Sequence, residues 1–481
     1  MIPERLATIL TDDVRDLAHR FSEDGHVLYL VGGSVRDALL GRGTKPGDTD
    51  LDFTTDARPE DIERIGTPWA HSTYLAGKQF GTIGLVRGGH VHEITTFRSE
   101  IYRDDSRKPH VTFSDSITED LSRRDFAVNA MAIRIPVDVD DEPEMVDPFG
   151  GLADLAGRVL RTPMDPEVSF GDDPLRMLRL FRFISTLGFT PDAAALDAVE
   201  RMGERLEIVS RERIRVEFDK LMVGDNVTEA LIGLVESKLA NEFIPEIPAL
   251  AVEQDPIHHH KDVLAHSIAV VAKTGPRLRL RLAALFHDIG KPDTREFGPG
   301  GVSFHHHEVV GARMTKRRMK ELRYSKDLVE DTSRLVFLHM RPHTYKMGWT
   351  DSAVRRYVRD AGPLLDDLNE LVRCDVTTRN KRRARTISNR IDELEARIEE
   401  LAAQEELDAL RPPIDGNQVM EHLGIPPSRT VGEIMDMLLE RRIEEGPYSE
   451  EEAFAMLDEW ANLPHEGGGG DPAGEAGSEG A

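Results

Sequence analysis

Two aspartates separated by one apolar residue, Asp50 and Asp52, have the spacing in this chain that points most directly to chemistry. Side chains alternate between the two faces of a strand, so both carboxylates are predicted on the same side. Adjacent carboxylates repel each other unless a cation lies between them, and Mg²⁺ accepts such oxygen ligands together with substrate phosphates. Glu93 stands on a later predicted strand, where it is either a third acidic ligand or an ordinary exposed glutamate.

The aspartate pair ends the stretch LVGGSVRDALLGRGTKPGDTDLD, residues 30–52. An apolar strand is followed by a Gly-Gly turn that includes Gly33, by a short helix that carries Arg36, and by the strand of the aspartates. Glycines allow backbone amides to approach a phosphate closely. Asp48, in the turn KPGD, is assigned to a loop. Gly-Gly and Asp-x-Asp also occur in surface turns, but the order of these elements favours metal-dependent nucleotidyl transfer.

Arginines recur downstream of this stretch. Arg123 and Arg124 are predicted at the start of a helix, with Asp125 capping it or pairing with them. Positive charge is unfavourable at a helix N-terminus unless an anion is present, so the pair indicates phosphate contacts. The helix predicted from DDPLRMLRLFRF carries residues at three-residue spacing: Asp173, Arg176, Arg179 and Arg182. A solvated helix face is the alternative interpretation of this last group.

Imidazoles accumulate between residues 257 and 375. His266 lies in an apolar helix, and the adjacent His287 and Asp288 lie at the end of another. Further members of this group are His305, His306, His307, His339 and Asp375. Imidazoles and carboxylates without a thiolate pattern suit a hydrolytic divalent-metal centre, whereas a lone histidine on an apolar helix face is more often a core residue.

Composition bounds the class of protein. The 481 residues suffice for two to four domains. Acidic residues outnumber basic ones, 87 to 61, and the net charge of −26 disfavours a uniformly basic nucleic-acid-binding surface but allows a local basic face. The single cysteine, Cys374, excludes an internal disulfide framework and fits a reducing cytosol. No apolar run approaches about 18 residues and no signal-peptide pattern is present, so neither a membrane span nor export is expected.

Local patterns predict an α+β fold. A helix is expected within residues 1–25, alternating short strands and helices within 27–135, and helices from 172 onward. The segment TIGLVRGGHVHEITTFR predicts a hairpin that turns at Gly88 and Gly89. Other segments are assigned as a mobile loop (98–108), a turn and closing strand (147–161), a linker (241–255), a compact helical unit (414–446) and a disordered acidic tail from 466.

Seven motifs together carry a family resemblance. In chain order they are LVGGSVRDALLG, DLDFTTDARPED, TTFRSEIYRDDSRKP, DLSRRDFAVNAMA, DPFGGLADL, DDPLRMLRLFRF and RERIRVEF. The chain thus resembles, over about residues 25–460, the bacterial-type (class II) CCA-adding tRNA nucleotidyltransferases of the polymerase β superfamily that carry an HD domain, and it is most similar to actinobacterial members.

The resemblance implies a particular α+β architecture. A polymerase β-like nucleotidyltransferase head, a mixed sheet with helices, is followed by an all-α neck, an HD domain and a C-terminal helical region. The implied boundaries are 1–160 for the head, 161–245 for the neck, 255–380 for the HD domain, 381–462 for the helical body and tail, and 463–481 for a disordered Gly-rich end.

The resemblance also implies a role for each matching residue in the head and neck. The catalytic metal ligands fall on Asp50 and Asp52, which would hold two Mg²⁺ ions. The implied nucleotide-binding residues are Gly33, Arg36, Arg124, Asp173, Arg176, Arg179 and Arg182, the last four on the helix that recognises the incoming base. The family usually has Glu-Asp where this chain has Asp172-Asp173, and a small residue where Pro174 stands.

The HD resemblance implies a second metal site. Its ligands would be His266, His287, Asp288 and Asp375, with His307 and His339 as the additional ligands of dinuclear HD hydrolases, and a divalent transition metal is its candidate occupant. The implied partners are tRNA, ATP and CTP in the cytoplasm, without membrane or DNA. Two basic runs, Arg379–Arg390 and Arg313–Arg323, are candidates for tRNA phosphate contacts, and solvated helix faces are their alternative.

Three other functions remain open at this stage. A poly(A) polymerase of the same superfamily shares nearly all the catalytic motifs. An HD phosphohydrolase would use the histidine cluster for catalysis and the N-terminal half as an RNA-binding module. A non-catalytic RNA-binding protein is disfavoured by the repelling pair Asp50 and Asp52. The motifs also leave open whether all of CCA or only part of it is added.

Overall fold

The structure is a computed structural model that describes residues 9–42, 51–101, 110–138, 141–251, 262–298, 301–376, 381–405 and 411–462. Asp50 and Asp48, most of the predicted loop 98–108 and the predicted tail from 466 lie outside the described residues. The chain divides into two compact units, Met1–Phe337 and Leu338–Ala481. The five-part division inferred from the motifs stays a prediction. In the described part of the chain, no helix is long and apolar enough to cross a membrane.

A mixed seven-stranded sheet opens the first unit, with strand order β3-β4-β5-β2-β1-β8-β9. Only β2 and β5 pair in parallel within it, and the other neighbours are antiparallel. Its strands are β1 (Leu28–Val31), β2 (Leu51–Thr55), β3 (Ser72–Tyr74), β4 (Thr82–Arg87), β5 (His90–Thr96), β8 (Ala132–Arg134) and β9 (Glu144–Val146). Three two-stranded pairs complete the described strands: β6 (Arg98–Ile101) with β7 (His110–Phe113), β10 (Val159–Leu160) with β11 (Thr190–Pro191), and β12 (Arg295–Gly298) with β13 (Gly301–Phe304).

The two faces of the sheet differ in burial. Phe53, Ile83, Leu85 and Ile94 point to one face and are at most 1% exposed, so this face belongs to the core. Alternation along the strands places Asp52, Glu93 and Gly84 on the opposite face. The predicted hairpin is confirmed, because β4 and β5 pair and both glycines of the turn have positive φ. Glycine tolerates this backbone conformation without steric cost.

Helices make up the rest of the first unit, and the predicted α+β class is confirmed. They are α1 (Asp12–Glu23), α2 (Gly33–Leu39), α3 (Pro59–Gly66), α4 (Ile117–Ser122), α5 (Gly151–Gly157), α6 (Pro166–Asp172), α7 (Leu175–Leu187), α8 (Ala193–Met202), α9 (Arg211–Met222), α10 (Val227–Glu236), α11 (Val263–Lys273), α12 (Leu278–Phe286), α13 (His307–Glu321) and α14 (Lys326–Leu338). The helix α7 packs against α9 and α10, and its apolar side chains Met177, Leu178 and Phe181 are fully buried. The neck arginines therefore stand on a helix fixed by its opposite, apolar face.

Two segment predictions need correction. Residues 147–161 contain the helix α5 between the predicted turn and the short strand β10, rather than a turn and strand alone. Residues 241–251 of the predicted linker 241–255 are described, and they include a 3-10 helix at Pro248–Leu250. Its prolines favoured a linker, but Phe243, Ile247 and Leu250 are fully buried, and burial of apolar side chains fixes the segment.

The second unit is helical in its described part. Its helices are α15 (Asp351–Ala361), α16 (Leu365–Asp375), α17 (Lys381–Glu405), α18 (Gly416–Leu423), α19 (Arg429–Glu445) and α20 (Glu450–Asn462). The predicted helical unit 414–446 is present as α18 and α19, and α20 adds a third helix. Val419, Ile434, Leu438 and Leu457 form the buried core of these three helices.

We predict that Gly151→Ala destabilises the head. A Cβ at Gly151 would lie 2.3 Å from the carbonyl oxygen of Ala127 and 2.7 Å from Cγ of Met131, and the backbone atom cannot move aside cheaply. Overpacking of this kind costs about 1–3 kcal/mol, so the Tm should fall. Gly157→Ala in the same helix is the matched control, because its Cβ would meet Val159 at an ordinary 3.5 Å. Equal melting curves for the two variants would contradict the prediction.

Candidate active site

A cavity of about 670 Å³ lies in the first unit, on the side of the sheet that carries Asp52. This side is called the cavity-side face. Eight arginines line its described wall: Arg36, Arg98, Arg123, Arg124, Arg176, Arg179, Arg182 and Arg213. Three aspartates, Asp52, Asp125 and Asp173, line it as well. The described wall thus carries a surplus of positive charge in a chain that is strongly acidic overall. Such a concave basic surface concentrates anions.

All the described head and neck residues predicted from the sequence meet at this cavity. Gly33 and Arg36 come from α2, Asp52 comes from β2, and Arg124 comes from the turn after α4. The neck helix contributes Arg176, Arg179 and Arg182, and Asp173 stands just before it. Asp50 lies outside the described residues. The structure brings the residues together, while their individual roles stay predictions.

Asp52 and Glu93 stand next to each other as register partners on the parallel strands β2 and β5. Both side chains reach the surface, and neighbouring carboxylates on one face supply the oxygen donors that hard divalent cations prefer. Gly32 adjoins them with φ of 75°, and a Cβ there would lie 3.3 Å from Nη1 of Arg124 and 3.6 Å from Oδ2 of Asp52. The glycine therefore keeps the space between the carboxylate and the arginine clear. These residues fit a divalent metal ion.

The prediction that Arg123 and Arg124 open a helix is wrong. They follow the C-terminus of α4, whose N-terminus is capped by Ser116. Positive charge is favourable at a helix C-terminus, so their position gives no indication of an anion. Both arginines pair with Asp120, a fully buried residue that also accepts a hydrogen bond of 3.2 Å from Oγ1 of Thr54 on β2. Burial alone would raise the pKa of Asp120, but the two arginines hold it below its ordinary value.

Asp125 pairs with Arg179 on α7 rather than with Arg123 or Arg124, which corrects a second prediction. Its Oδ2 accepts a 2.8 Å hydrogen bond from Nε of Arg179, and its Oδ1 accepts one of 2.9 Å from Asn129. Asn129 in turn accepts a 2.6 Å hydrogen bond from Nη1 of Arg36. Burial opposes ionisation, but the attraction of Arg179 outweighs it and keeps the pKa of Asp125 well below its ordinary value. Asp125 therefore stays charged and links the head to the neck.

Glu217 on α9 balances the other side of the arginine group. Its two carboxylate oxygens lie 3.2 Å from Nη1 of Arg179 and 3.2 Å from Nε of Arg182, and its side chain is 6% exposed. Burial and the neighbouring Arg179 lower the pKa of Arg182 to about 10, despite Glu217. The guanidinium of Arg182 stacks on Phe183 with 3.8 Å between Cζ and the ring centroid. Because the pKa of Arg182 is lowered, any further anion that enters the cavity would stabilise its charged form.

Asp173 and Arg176 both line the cavity, and each is held by its own partners. Oδ1 of Asp173 accepts a 3.2 Å hydrogen bond from the amide of Leu175, and Oδ2 lies 2.9 Å from Nη2 of Arg213. Arg176 is 7% exposed and donates to the carbonyl and hydroxyl oxygens of Ser169 and to the carbonyl of Arg123. The pair is thus oriented before any ligand binds, which reduces the entropy that binding must overcome.

Four contributing residues were missed by sequence reasoning: Asp120, Asn129, Arg213 and Glu217. Arg213 and Glu217 stand in RERIRVEF, so this motif carried a usable signal. Asp120 and Asn129 stand in DLSRRDFAVNAMA, so this motif carried the same kind of signal. A buried carboxylate has the same one-letter code as an exposed one, and only its partners reveal its role.

A second cluster lies at the ends of α11 and α12. Nε2 of His266, His287 and His307 lie 3.5, 3.1 and 3.4 Å from carboxylate oxygens of Asp288. The Nδ1 atoms of His287 and His307 contact backbone carbonyls at 2.8 Å, which turns Nε2 inward. Burial lowers the pKa of His307, in spite of Asp288, so the neutral, metal-binding form is favoured. This donor set suits a divalent metal ion.

His339 and Asp375, the remaining predicted ligands of this cluster, belong to the second unit. His339 directly follows α14 and is 1% exposed, and Asp375 is the last residue of α16. Their part in metal binding stays a prediction. His305 and His306 are exposed and directly precede α13.

We predict that Asp125→Asn destabilises the protein at pH 7 by about 3–5 kcal/mol, because it removes one of the two buried carboxylates that pair with Arg179. The pKa of Asp125 is lower in the folded protein than in the unfolded chain, so its stabilisation is fully present above about pH 4 and declines as the pH falls further. Melting temperatures at pH 7 and below pH 4 measure this change. Asp115→Asn, which removes an exposed partner of Arg58, is the control and should change little. A Tm difference that widens on acidification would contradict the prediction.

Known families match three successive parts of the chain. The family described as "Poly A polymerase head domain" matches residues 28–161, "Probable RNA and SrmB- binding site of polymerase A" matches 188–250, and "HD domain" matches 258–391. The first match contains Asp52 and Arg124, and the third contains the histidine cluster. The two candidate metal-binding groups thus fall within the matches to two different families.

Solved structures share the fold. A crystal structure of the Bacillus stearothermophilus CCA-adding enzyme in complex with CTP has a TM-score of 0.65 at 23% identity, and covers 93% of this chain and 97% of its own. The Thermotoga maritima CCA-adding enzyme complexed with tRNA has a TM-score of 0.58 at 17% identity, and covers 95% of this chain and 96% of its own. At these identities the likeness establishes the fold alone.

The alignments of this chain with curated relatives cover either about half of the relative's length or nearly all of it. The CCA-adding enzyme of Anoxybacillus flavithermus is 40% identical over 224 residues, which cover 46% of this chain and 53% of that protein, and this chain likewise spans about half the length of several other CCA-adding relatives. The A-adding tRNA nucleotidyltransferase of Deinococcus radiodurans is 32% identical over 449 residues, 90% of this chain and 95% of that protein. A match of this identity over nearly the whole of both proteins shows that the chain belongs to the tRNA nucleotidyltransferase family.

Proposed function

We propose that this protein adds CMP and AMP from CTP and ATP to the 3′ end of tRNA, without a nucleic-acid template and with release of pyrophosphate. One observation carries the proposal: the carboxylate of Asp52 stands at a cavity that also holds eight arginines and the pair Asp173 and Arg176. Metal-binding oxygens, cations for a triphosphate and a polar pair for a base are the three parts that such a transfer needs. The names of the relatives support tRNA as the acceptor.

The arginines would bind and orient the triphosphate. Arg36 and Arg124 approach it from the head, and Arg179 and Arg182 approach it from the neck. Positioning and charge neutralisation provide most of the catalysis in phosphoryl transfer. Because Arg182 is buried beside Arg179, a phosphate would relieve their repulsion and strengthen binding.

Mg²⁺ is the proposed metal of the head, held by Asp52 and Asp50, with Glu93 beside Asp52. When bound, it would lower the pKa of the attacking 3′ hydroxyl and stabilise the leaving pyrophosphate. The protein's own contribution in the described residues is to hold Asp52 and Glu93 on paired strands of the central sheet. Glycine at position 32 keeps the phosphate side of the site open.

Asp173 and Arg176 would choose the base. The carboxylate accepts from the exocyclic amino group that C and A share, and the guanidinium donates to the adjacent ring acceptor. U and G present a carbonyl at that place, so the carboxylate would face an acceptor. Arg213 and Leu175 each donate one hydrogen bond to Asp173, and a carboxylate has about four acceptor sites, so capacity remains for a base.

Addition of AMP alone is the second candidate function. It is favoured by one observation: the relative that matches nearly the whole chain is an A-adding enzyme. Both functions use the same metal-binding carboxylates and the same arginines. They differ in whether the cavity accepts CTP during the first two additions.

The histidine cluster is proposed to bind a divalent transition metal through His266, His287, Asp288 and His307. A cavity of about 530 Å³ lined by Arg211, Arg318, Lys320 and Arg323 supports tRNA phosphate binding by the run Arg313–Arg323. The other run, Arg379–Arg390, lies partly outside the described residues.

A cytoplasmic location and membership of the actinobacterial branch stay expectations from the sequence.

The function is tested by nucleotide addition to tRNA transcripts that end before CCA, after C and after CC. With CTP and ATP, the wild type should add nucleotides until CCA is complete and then stop. Asp52→Asn should reduce the rate by at least about 10³-fold, because a metal ligand is lost, while Asp115→Asn should leave it unchanged.

The products separate the candidate functions. Addition of AMP only to the transcript that ends in CC would support the A-adding function and contradict full CCA addition. A long A tail would indicate a poly(A) polymerase instead. Activity that survives Asp52→Asn but is lost in His287→Ala would assign the chemistry to the histidine cluster.

We predict that Asp173→Ala relaxes the choice of base. A site built to pair polar groups rejects mismatched ones by about 10⁴-fold, so loss of the carboxylate should bring kcat/KM for UTP and GTP much closer to that for CTP and ATP. Asp165→Ala, a helix cap at the other end of α6, is the control. Undiminished rejection of UTP and GTP by Asp173→Ala would rule out this role.

A further inference from the structure

The cavity-side face of the sheet carries a row of four residues on neighbouring strands. Asp52 on β2, Glu93 on β5, Gly84 on β4 and Tyr74 on β3 are successive register partners. Register partners point to the same face of a sheet. Thr82, two residues from Gly84 on the same face, lines the arginine-rich cavity. The row therefore leads from the candidate metal ligand out to the edge strand.

Tyr74 ends this row as an exposed aromatic ring. It is 60% exposed, and Gly84 contributes no side chain between it and Glu93. A Cβ built on Gly84 would lie 3.4 Å from Cβ and 3.8 Å from Cδ2 of Tyr74, so the Tyr74 side chain packs against the glycine. An aromatic ring of this kind offers a large flat surface at low entropic cost, because only two side-chain torsions must be fixed.

Exposed apolar side chains follow Tyr74 in the segment between β3 and β4, and Phe113 on β7 packs against that segment. Leu75, Phe80 and Phe113 are 43%, 40% and 38% exposed, and Phe80 lines the cavity itself. The ring of Phe113 packs over Gly81, next to Phe80, and Arg58 lies 5.5 Å from its centroid. Exposed aromatic rings beside cations bind unpaired nucleotides by base stacking and phosphate attraction.

The length of the row fits a few nucleotides. Strands lie about 4.8 Å apart, so Tyr74 stands roughly 14 Å from Asp52. Stacked nucleotides rise about 3.4 Å each, and an unstacked strand covers the distance with fewer. We propose that Tyr74 is a stacking platform for an unpaired base of the acceptor RNA, about two to four nucleotides before the 3′ hydroxyl. The proposal rests on the proposed function, because that function places the 3′ hydroxyl at Asp52.

The platform is tested with an acceptor-stem RNA hairpin that has a three-nucleotide unpaired 3′ end. 2-Aminopurine replaces one unpaired base at a time, and stacking quenches its fluorescence. The wild type should quench one position when it binds, without added nucleotide. Tyr74→Ala should lose this quenching and raise the KM for the hairpin at least about fivefold, with kcat and the KM for ATP unchanged. Tyr74→Phe should restore both the quenching and the wild-type KM for the hairpin.

Phe297→Ala is the matched control, since Phe297 is a 70% exposed aromatic residue on β12, outside the row. It should leave quenching and the hairpin KM unchanged. If Tyr74→Ala only lowers the Tm, the ring merely covers Gly84, and the platform is wrong. A wild-type dimer that Tyr74→Ala dissociates in sedimentation would also overturn it, in favour of a contact between copies.

The two proposals fail in different ways. A wild type that completes the 3′ end normally but shows no Tyr74-dependent quenching contradicts the platform alone. A wild type that adds no nucleotide to any tRNA transcript contradicts the proposed function, and the platform with it.

Discussion

Repulsion between arginines is the constraint on which the site depends. The described wall of one cavity contains eight guanidinium groups, and so many like charges need compensating anions. Asp120, Asp125 and Glu217 provide them, each at most 8% exposed, and Asp125 also lines the cavity itself. Removing a buried charge from water is costly, and several close hydrogen bonds to arginines offset that cost. The arrangement keeps the arginine group stable while leaving net positive charge toward the cavity.

These carboxylates also hold separate elements together. Asp120 connects the turn after α4 with Thr54 on the strand of Asp52. Asp125 receives hydrogen bonds from Arg179 on the neck helix and from Asn129, which in turn binds Arg36. The residues that would bind phosphates are therefore linked to those that would bind metal. A displacement of the neck helix would also displace the head residues bonded to it, because the linking side chains are buried and closely packed.

The central sheet sets the distances within the site. Its buried face fixes the strands through Phe53, Ile83, Leu85 and Ile94, and its other face is free to carry chemistry. Register then fixes what stands beside Asp52: first Glu93, then a glycine, then Tyr74. A shift of one residue along a strand would turn the whole set to the opposite face. The apolar core thus determines the order of the polar row.

The sequence by itself determined which residue types are available for the chemistry. The spacing of Asp50 and Asp52, the glycine turn and the neck arginines indicated metal-dependent nucleotidyl transfer, and periodicity predicted the α+β class and the β4–β5 hairpin. It assigned Arg123 and Arg124 to the wrong end of a helix, because apolar spacing does not define helix ends well.

Only the tertiary structure decided which charges are paired. Asp125 is adjacent to Arg124 in the chain, yet it binds Arg179, 54 residues away. The row from Asp52 to Tyr74 likewise joins four strands whose order in the sheet differs from their order in the chain. Local patterns carry no information about such contacts. They arise when the apolar faces of the sheet and helices pack together, and packing is a property of the whole fold.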